Sequence, residues 1–216
     1  MLTVWSILWG DKYKPEAVYI LRDMVARNLS EPHELICITD QDLPGIRTVE
    51  PPCDYPGWWQ KIGLFKPGFA HDYNLWLDLD IVITGSLDPI AGLANGPLAC
   101  SWNWARSGHG GVQSSVMAWG GFSGAAIWND FDPRQAIWPP ENKPRQFWGD
   151  QEWITELRDT GQIKVRQLDP KLVKSYKYHC RDGPPADCRV VVFHGKPDPD
   201  EVADEWVKLL YTRTQA

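Results

Sequence analysis

Two carboxylates at alternate positions of an apolar run are the residues whose spacing best suits chemistry. Asp78 and Asp80 lie within residues 75–83, a run rich in branched side chains that predicts one strand buried on both faces. Side chains alternate across a strand, so we expect both acids to point to the same side. Such acids repel each other and lose hydration, and a divalent cation relieves both costs. Oxygen ligands predict Mg²⁺ or Mn²⁺; alternatively, the acids only cap the strand or accept backbone hydrogen bonds.

A second polar group follows the last apolar run of the chain. His194 comes directly after residues 190–193, and Lys196 lies two positions later. The pair could supply a third metal ligand and a cation for a diphosphate, and an imidazole ligand favours Mn²⁺ over Mg²⁺. The alternative is a surface histidine beside a solvated lysine.

Five further residues carry polar side chains near the predicted ends of strands or helices. Asp11 and Tyr13 follow the first strand, where they could hold a nucleobase, or where the acid only complements a helix dipole. Lys61 is either a phosphate-binding cation or an exposed helix charge. Asp150 and Gln151 open a predicted helix and either bind sugar hydroxyls or serve only as its polar start.

The bulk properties restrict the class of protein. We predict one domain over residues 1–216, and the net charge of -6 without a basic cluster argues against a nucleic-acid partner. No transmembrane segment is predicted, and the N-terminus reads as a strand rather than a signal peptide. Five scattered cysteines predict reduced thiols, although Cys180 and Cys188 could pair. We expect a cytoplasmic protein, either free or peripheral to a membrane. Thirteen tryptophans, several among turn residues, favour a carbohydrate or nucleotide ligand.

Strands and helices alternate along the chain, which predicts an α/β fold with a mostly parallel sheet flanked by helices. Ligands of such sheets bind at the carboxyl ends of the strands, where each polar group above is expected to lie. The predicted strands are residues 2–9, 35–39, 75–83, 98–102, 121–129 and 190–193; the predicted helices lie within 16–28, 59–69, 150–159 and 201–211; and 105–115 and 133–146 are predicted loops.

In their order along the chain, these pieces resemble the GT-A-fold (Rossmann-like) nucleotide-sugar glycosyltransferases. They are most similar to the family-8 retaining enzymes, which include bacterial lipopolysaccharide galactosyltransferases and glycogenin. Two departures are a shorter spacing from histidine to lysine at the last motif and a phenylalanine in place of the usual asparagine before the Ser-Gly pair. The motifs that carry the resemblance are Trp59-Gln60-Lys61, Leu77-Asp78-Leu79-Asp80 with the trailing Gly85-Ser86-Leu87, Phe122-Ser123-Gly124, Gly149-Asp150-Gln151-Glu152 and His194-Gly195-Lys196-Pro197.

The resemblance implies a metal-dependent transfer of a sugar from a UDP-sugar to a hydroxyl acceptor, with retention. The acceptor would be a glycan, a lipid-linked molecule or a protein. The implied roles are Mn²⁺ (or Mg²⁺) binding by Asp78, Asp80 and His194, uracil binding by Asp11 and Tyr13, diphosphate neutralisation by Lys61 and Lys196, and sugar orientation by Asp150 with Gln151.

Two other functions remain open from the sequence. One is a non-catalytic carbohydrate- or nucleotide-binding domain of the same fold. The other is a sugar nucleotidyltransferase, which would also use a carboxylate pair at a strand end. That class needs a Gly-rich basic loop after the first strand, and Trp9-Gly10-Asp11-Lys12-Tyr13 matches such a loop poorly.

Overall fold

A seven-stranded sheet organises the chain in the computed structural model, which describes residues 1–104, 111–121 and 123–214. Its strands lie in the order β3-β2-β1-β4-β7-β6-β8, and a separate three-stranded sheet has the order β5-β10-β9. The strands are β1 (Leu2–Ile7), β2 (His33–Ile38), β3 (Arg47–Val49), β4 (Tyr73–Leu77), β5 (Ile81–Ile83), β6 (Leu98–Trp102), β7 (Val112–Gly120), β8 (Val165–Gln167), β9 (Val173–Ser175) and β10 (Val190–Val192).

The large sheet is mostly parallel, as predicted. Strand β1 pairs in parallel with β2 and β4, and the pairs β2–β3 and β6–β8 are parallel as well. Strand β7 runs antiparallel to both β4 and β6, so it begins at the edge where its neighbour β4 ends. The carboxyl ends of β1 and β4 and the start of β7 therefore meet at one edge of the sheet.

The helices cover both faces of this sheet. Helix α1 begins with Pro15 at its first turn, and its apolar side chains pack on one face. A 3₁₀ helix, Gly57–Phe65, packs with α5 on the opposite face. The α-helices are α1 (Pro15–Asn28), α2 (Asp88–Ala91), α3 (Ala125–Asn129), α4 (Pro133–Ala136), α5 (Asp150–Asp159), α6 (Tyr176–His179) and α7 (Glu205–Leu210), and a second 3₁₀ helix is Pro199–Glu201.

Alternation along the central strands divides the core into two layers. Leu75 and Leu77 of β4 face helix α1, whereas Trp76 between them faces the 3₁₀ helix and α5. A third apolar cluster lies beneath the small sheet, where Val82, Val191 and Phe193 pack together. The five cysteines carry free thiols. Within the described residues, no helix is both long enough and apolar enough to cross a bilayer.

The prediction of a single strand over residues 75–83 is wrong. Strand β4 ends at Leu77, and β5 begins at Ile81 in the other sheet. Between them the backbone of Asp78 donates to Ser115 O (3.0 Å), and Phe193 N donates to Asp80 O (2.8 Å). The chain therefore changes hydrogen-bonding partners, and thus sheets, at the two carboxylates.

The predicted strand over 121–129 is also wrong. Gly124 has a left-handed backbone (φ +86°) and precedes helix α3, and an added Cβ would lie 3.0 Å from the Phe65 ring. The small residue thus serves packing between helices rather than approach of a ligand. Of the predicted loop 105–115, residues 112–115 belong to β7, while 105–110 lie outside the described residues. Within the predicted loop 133–146, residues 133–136 form α4.

Candidate functional site

The three-residue link between the two sheets carries both acidic side chains of the predicted metal site. Asp78 follows β4 directly, and its side chain is 19% exposed. Asp80 precedes β5, and its side chain is 11% exposed. The hydrogen bonds that flank the link hold both residues at the edge of the large sheet where β4 ends and β7 begins.

A buried lysine neutralises the first of these acids. The Nζ atom of Lys61 lies 2.8 Å from Oδ1 and 3.0 Å from Oδ2 of Asp78, and the Trp76 indole donates to Oδ1 at 2.8 Å. Burial alone would lower the pKa of Lys61, but the carboxylates of Asp78 and Asp150 raise it above its usual value. The interpretation of Lys61 as an exposed helix charge is therefore excluded.

The first residue of helix α5 belongs to the same network. The hydroxyl of Ser114 donates to Oδ2 of Asp150 at 2.6 Å, and Lys61 Nζ lies 3.3 Å from the same hydroxyl oxygen. Asp150 is almost fully buried; that burial raises the pKa of its carboxyl, and Lys61 opposes the rise. The buried cation of Lys61 is thus shared by the buried Asp150 and the partly exposed Asp78.

Asp80 has weaker charge compensation than Asp78. Its Oδ2 accepts a hydrogen bond from the Tyr13 hydroxyl at 2.8 Å, and the exposed ammonium of Lys12 lies 3.5 Å away. Burial, followed by the neighbouring Asp78 carboxylate, raises the pKa of Asp80 to about 6. Burial and the Asp80 carboxylate also raise the pKa of Tyr13. The buried Asp80 carboxylate therefore has too little positive charge near it to balance its own.

His194 lies just after β10. Its Nε2 lies 2.7 Å from the Ser175 hydroxyl, and its ring stacks between those of Trp104 and Tyr178. Burial and nearby Lys177 lower its pKa. In the part of the chain that the structure describes, no three His, Cys, Asp or Glu side chains are grouped to hold a metal ion. Asp78, Asp80 and His194 thus line one cavity without forming a closed set of three ligands.

Two adjoining cavities open beside the carboxylates. The larger has a volume of about 680 Å³ and the smaller about 230 Å³. Asp78, Asp80, Lys61, Lys12 and Trp58 line both, so these residues lie on the boundary between the two spaces. The smaller cavity is completed mainly by Ile7, Trp9, Tyr13, Gly57 and Leu79, and the larger by Asn103, residues 111–113, Ser115, residues 147–152, Thr155, Glu156, His194 and Gly195.

The structure brings together most, but not all, of the residues that the sequence singled out. Gln151 lines the larger cavity and accepts a hydrogen bond from Asn103 at 3.3 Å. Asp11 is exposed in the turn after β1 and lines neither cavity. Lys196 also lies outside both, because its ammonium pairs with Asp198 (2.8 Å) and Glu201 (2.6 Å). These two carboxylates raise the pKa of Lys196.

Several residues of the site were missed by sequence reasoning, and three of them are consecutive in β7. Gln113 and Ser115 at the start of β7 line the larger cavity, and Ser114 between them holds Asp150. They were assigned to a loop because glycines precede them, although the apolar residues 116–119 that follow could have signalled a strand. Conversely, Ser123 of the proposed motif lies outside the cavity and donates to Gly96 O at 3.0 Å; Phe122 lies outside the described residues.

Comparison with solved structures finds glycosyltransferases of the same fold. The galactosyltransferase LgtC, solved with donor and acceptor sugar analogues, matches at 17% identity and a TM-score of 0.61 over 100% of this chain and 98% of that one. An active-site mutant of LgtC matches at 14% identity and a TM-score of 0.62, covering 97% and 93%. The glycosyltransferase GlyE of Streptococcus pneumoniae matches at 14% identity and a TM-score of 0.63, covering 96% of this chain and 59% of that one.

These similarities establish the fold and confirm the predicted GT-A-like α/β class. No protein-family model matches the chain, and no curated protein sequence matches it.

Proposed function

We propose that the chain is a glycosyltransferase that moves a sugar from a UDP-sugar to a hydroxyl acceptor with the help of a divalent cation. The observation that carries this proposal is the undercompensated pair Asp78 and Asp80, held at a sheet edge on the boundary between two cavities. The shared fold with LgtC and GlyE gives independent support.

The donor set fits Mg²⁺ or Mn²⁺. These ions are commonly bound by one or two carboxylates together with water and substrate phosphates, so a third protein ligand is not required. Burial and the Asp78 carboxylate raise the pKa of Asp80, which indicates that the site lacks positive charge. A bound divalent cation would supply that charge. His194 would join the set through Nδ1, because its Nε2 is engaged by Ser175.

The chain's own residues would position the donor sugar and the carboxylates of the site. The ion pair with Lys61 holds the Asp78 carboxylate in place. Asp150 would accept a hydrogen bond from a hydroxyl of the sugar while its Oδ2 stays bonded to Ser114. Tyr13, in the smaller cavity, would stack on the base. Lys196 could reach the diphosphate only by exchanging Asp198 and Glu201 for phosphate oxygens.

In the transfer, the bond between the anomeric carbon and the diphosphate oxygen breaks, and its electron pair leaves with UDP. The acceptor oxygen forms the new bond to the anomeric carbon, and its proton passes to the departing diphosphate and then to solvent. A bound cation supplies Lewis-acid stabilisation of the leaving diphosphate. Retention follows from the family resemblance, and NMR of the product's anomeric proton tests it.

The test is UDP release from a panel of UDP-sugars with Mn²⁺, with and without acceptor glycosides. We expect turnover with at least one donor and its loss in Asp80→Asn. The matched control is Asp72→Asn, an exposed acid just before β4, at the other end of that strand, which should keep wild-type turnover. Equal UDP release by Asp80→Asn and by the wild type would contradict the proposal.

A second candidate is a non-catalytic nucleotide-sugar-binding domain. It is favoured by one observation, namely that the described residues offer no group of three metal-ligating side chains. UDP-sugar binding that survives EDTA, together with no UDP release from any donor, would support this candidate instead.

A further inference from the structure

We propose that the larger cavity binds an uncharged sugar ring of the acceptor against Trp148 and Trp58. This inference rests on the proposed function, and it specifies the acceptor class as a neutral glycan rather than an acidic or phosphorylated one. It follows from the placement of two exposed aromatic rings and from the distribution of charge around the cavity.

Both tryptophans are exposed although they lie beside the site. The exposed fraction is 77% for Trp148 and 56% for Trp58, whereas neighbouring Trp59 is 2% exposed and belongs to the core. Exposed indole rings leave apolar area in contact with water, which a ligand with an apolar face can remove. The carbon–hydrogen face of a sugar ring is such a surface.

The two indoles flank the start of helix α5. A Cβ added to Gly149 would lie 3.0 Å from Nε1 of Trp58, so the edge of that indole lies against the backbone between Trp148 and Asp150. The backbone N–H of Trp148 donates to Glu152 Oε2 at 2.6 Å, which fixes this residue to the first turn of α5. The aromatic surface is therefore held next to the side chain that would orient the transferred sugar.

The position of the carboxylate pair assigns this surface to the acceptor. Asp78 and Asp80 line both cavities, and Tyr13 lines only the smaller one. A donor whose base occupies the smaller cavity would place its sugar at the boundary, beside Asp150. The part of the larger cavity beyond that boundary is then left for the acceptor, whose hydroxyl attacks the donor sugar.

The charges favour a neutral occupant. Glu152 and Glu156 lie on the α5 side of the larger cavity. The lysines that line it among the described residues, Lys12 and Lys61, lie at the boundary and pair with Asp80 and Asp78. An anionic acceptor would thus meet uncompensated carboxylates, whereas sugar hydroxyls can bond to Gln151 and Glu156.

The test is ligand-observed saturation-transfer NMR on the full chain with UDP and Mg²⁺, which needs no turnover. The probes are methyl β-D-galactopyranoside and methyl β-D-glucopyranoside, compared with the acidic methyl β-D-glucuronide. We expect at least one neutral glycoside to bind, with Trp148→Ala weakening it roughly ten-fold and Trp148→Phe weakening it less. Trp138→Ala is the matched control, because Trp138 is 53% exposed and lines neither cavity.

We also expect the glucuronide to bind roughly ten-fold more weakly than the neutral glycosides, and Glu156→Gln to reduce that difference. Unchanged binding in Trp148→Ala, or equal binding of the glucuronide, would overturn the inference. UDP affinity, measured in the same samples, separates the two proposals. UDP binding without glycoside binding rejects only the acceptor site, whereas glycoside binding without UDP binding rejects the proposed function and leaves the aromatic sugar site.

Discussion

The ammonium of Lys61 contacts both carboxylate oxygens of Asp78, at 2.8 and 3.0 Å, and both side chains are largely shielded from water. Lys61 also faces buried Asp150, so a single positive charge serves two acids. This arrangement makes the network sensitive to loss of its cation and supplies the first prediction.

Lys61→Met should destabilise the protein by about 3–5 kcal/mol, because it removes the positive charge that the Asp78 and Asp150 carboxylates share. Urea unfolding followed by circular dichroism measures the change. Lys66→Met, at an exposed position just after the same 3₁₀ helix, should change the free energy of unfolding by less than about 1 kcal/mol. Similar effects of the two substitutions would contradict the buried network.

Ser114→Ala should lower the free energy of unfolding by about 1.5–3 kcal/mol, because the hydroxyl donates to the buried carboxylate of Asp150. UDP-sugar turnover should also fall, since Asp150 loses its fixed orientation. Ser123→Ala removes a comparable hydroxyl, bonded to Gly96 O, outside the cavity. It should leave turnover unchanged, and an equal loss of turnover in both variants would argue against a role for Asp150 in positioning.

Asp80→Asn should weaken Mn²⁺ binding in the presence of UDP at least ten-fold, or by about 1.4 kcal/mol, because it removes one of two anionic ligands. Titration calorimetry at constant UDP concentration measures this affinity. Asp72→Asn should retain the wild-type affinity. Unaltered Mn²⁺ affinity in Asp80→Asn would show that the ion does not bind at the link between the sheets.

The pH dependence of stability should differ between the wild type and Asp80→Asn when no metal is present. The pKa of Asp80 is raised by burial and by Asp78 to about 6, above its usual value, so its ionised form costs stability above that pH. This cost disappears as the pH falls from about 6 to about 4, because the folded state then binds the proton more tightly than the unfolded state.

Asp80→Asn should therefore be the more stable protein at pH 8, and its advantage should shrink below pH 6. Denaturant midpoints across this range, with EDTA present, provide the measurement. A constant difference from pH 4 to pH 8 would show that Asp80 does not carry this cost.

The sequence predicted the fold well because its signals were local. The helical spacing before Asn28 and the polar start of α5 at Asp150 identified two helices almost to the residue. The alternation of strands with helices then indicated the α/β class, and the strand-end rule placed Asp78 and Asp80 at the correct edge.

The parts that failed depend on contacts between distant segments. Apolar pattern alone could not reveal that the chain leaves one sheet at Asp78, because that change depends on hydrogen bonds to Ser115 and Phe193. The burial of Lys61 likewise depends on an acid 17 positions later in the chain. The strand predicted over 121–129 failed for the same reason, because the close neighbour of Gly124, Phe65, is remote in sequence.

The short link that carries Asp78 and Asp80 is also the first of the places along the chain where it crosses between the seven-stranded and three-stranded sheets. A molecule that bridges both side chains would therefore act as a cross-link at this junction. Ligand binding and the stability of the small sheet are thermodynamically coupled. A change that destabilises the small sheet therefore weakens the affinity for such a bridging ligand, by the same factor by which the bound ligand stabilises the sheet. The rigidity of β10, which itself lines neither cavity, thus becomes one of the quantities that set affinity.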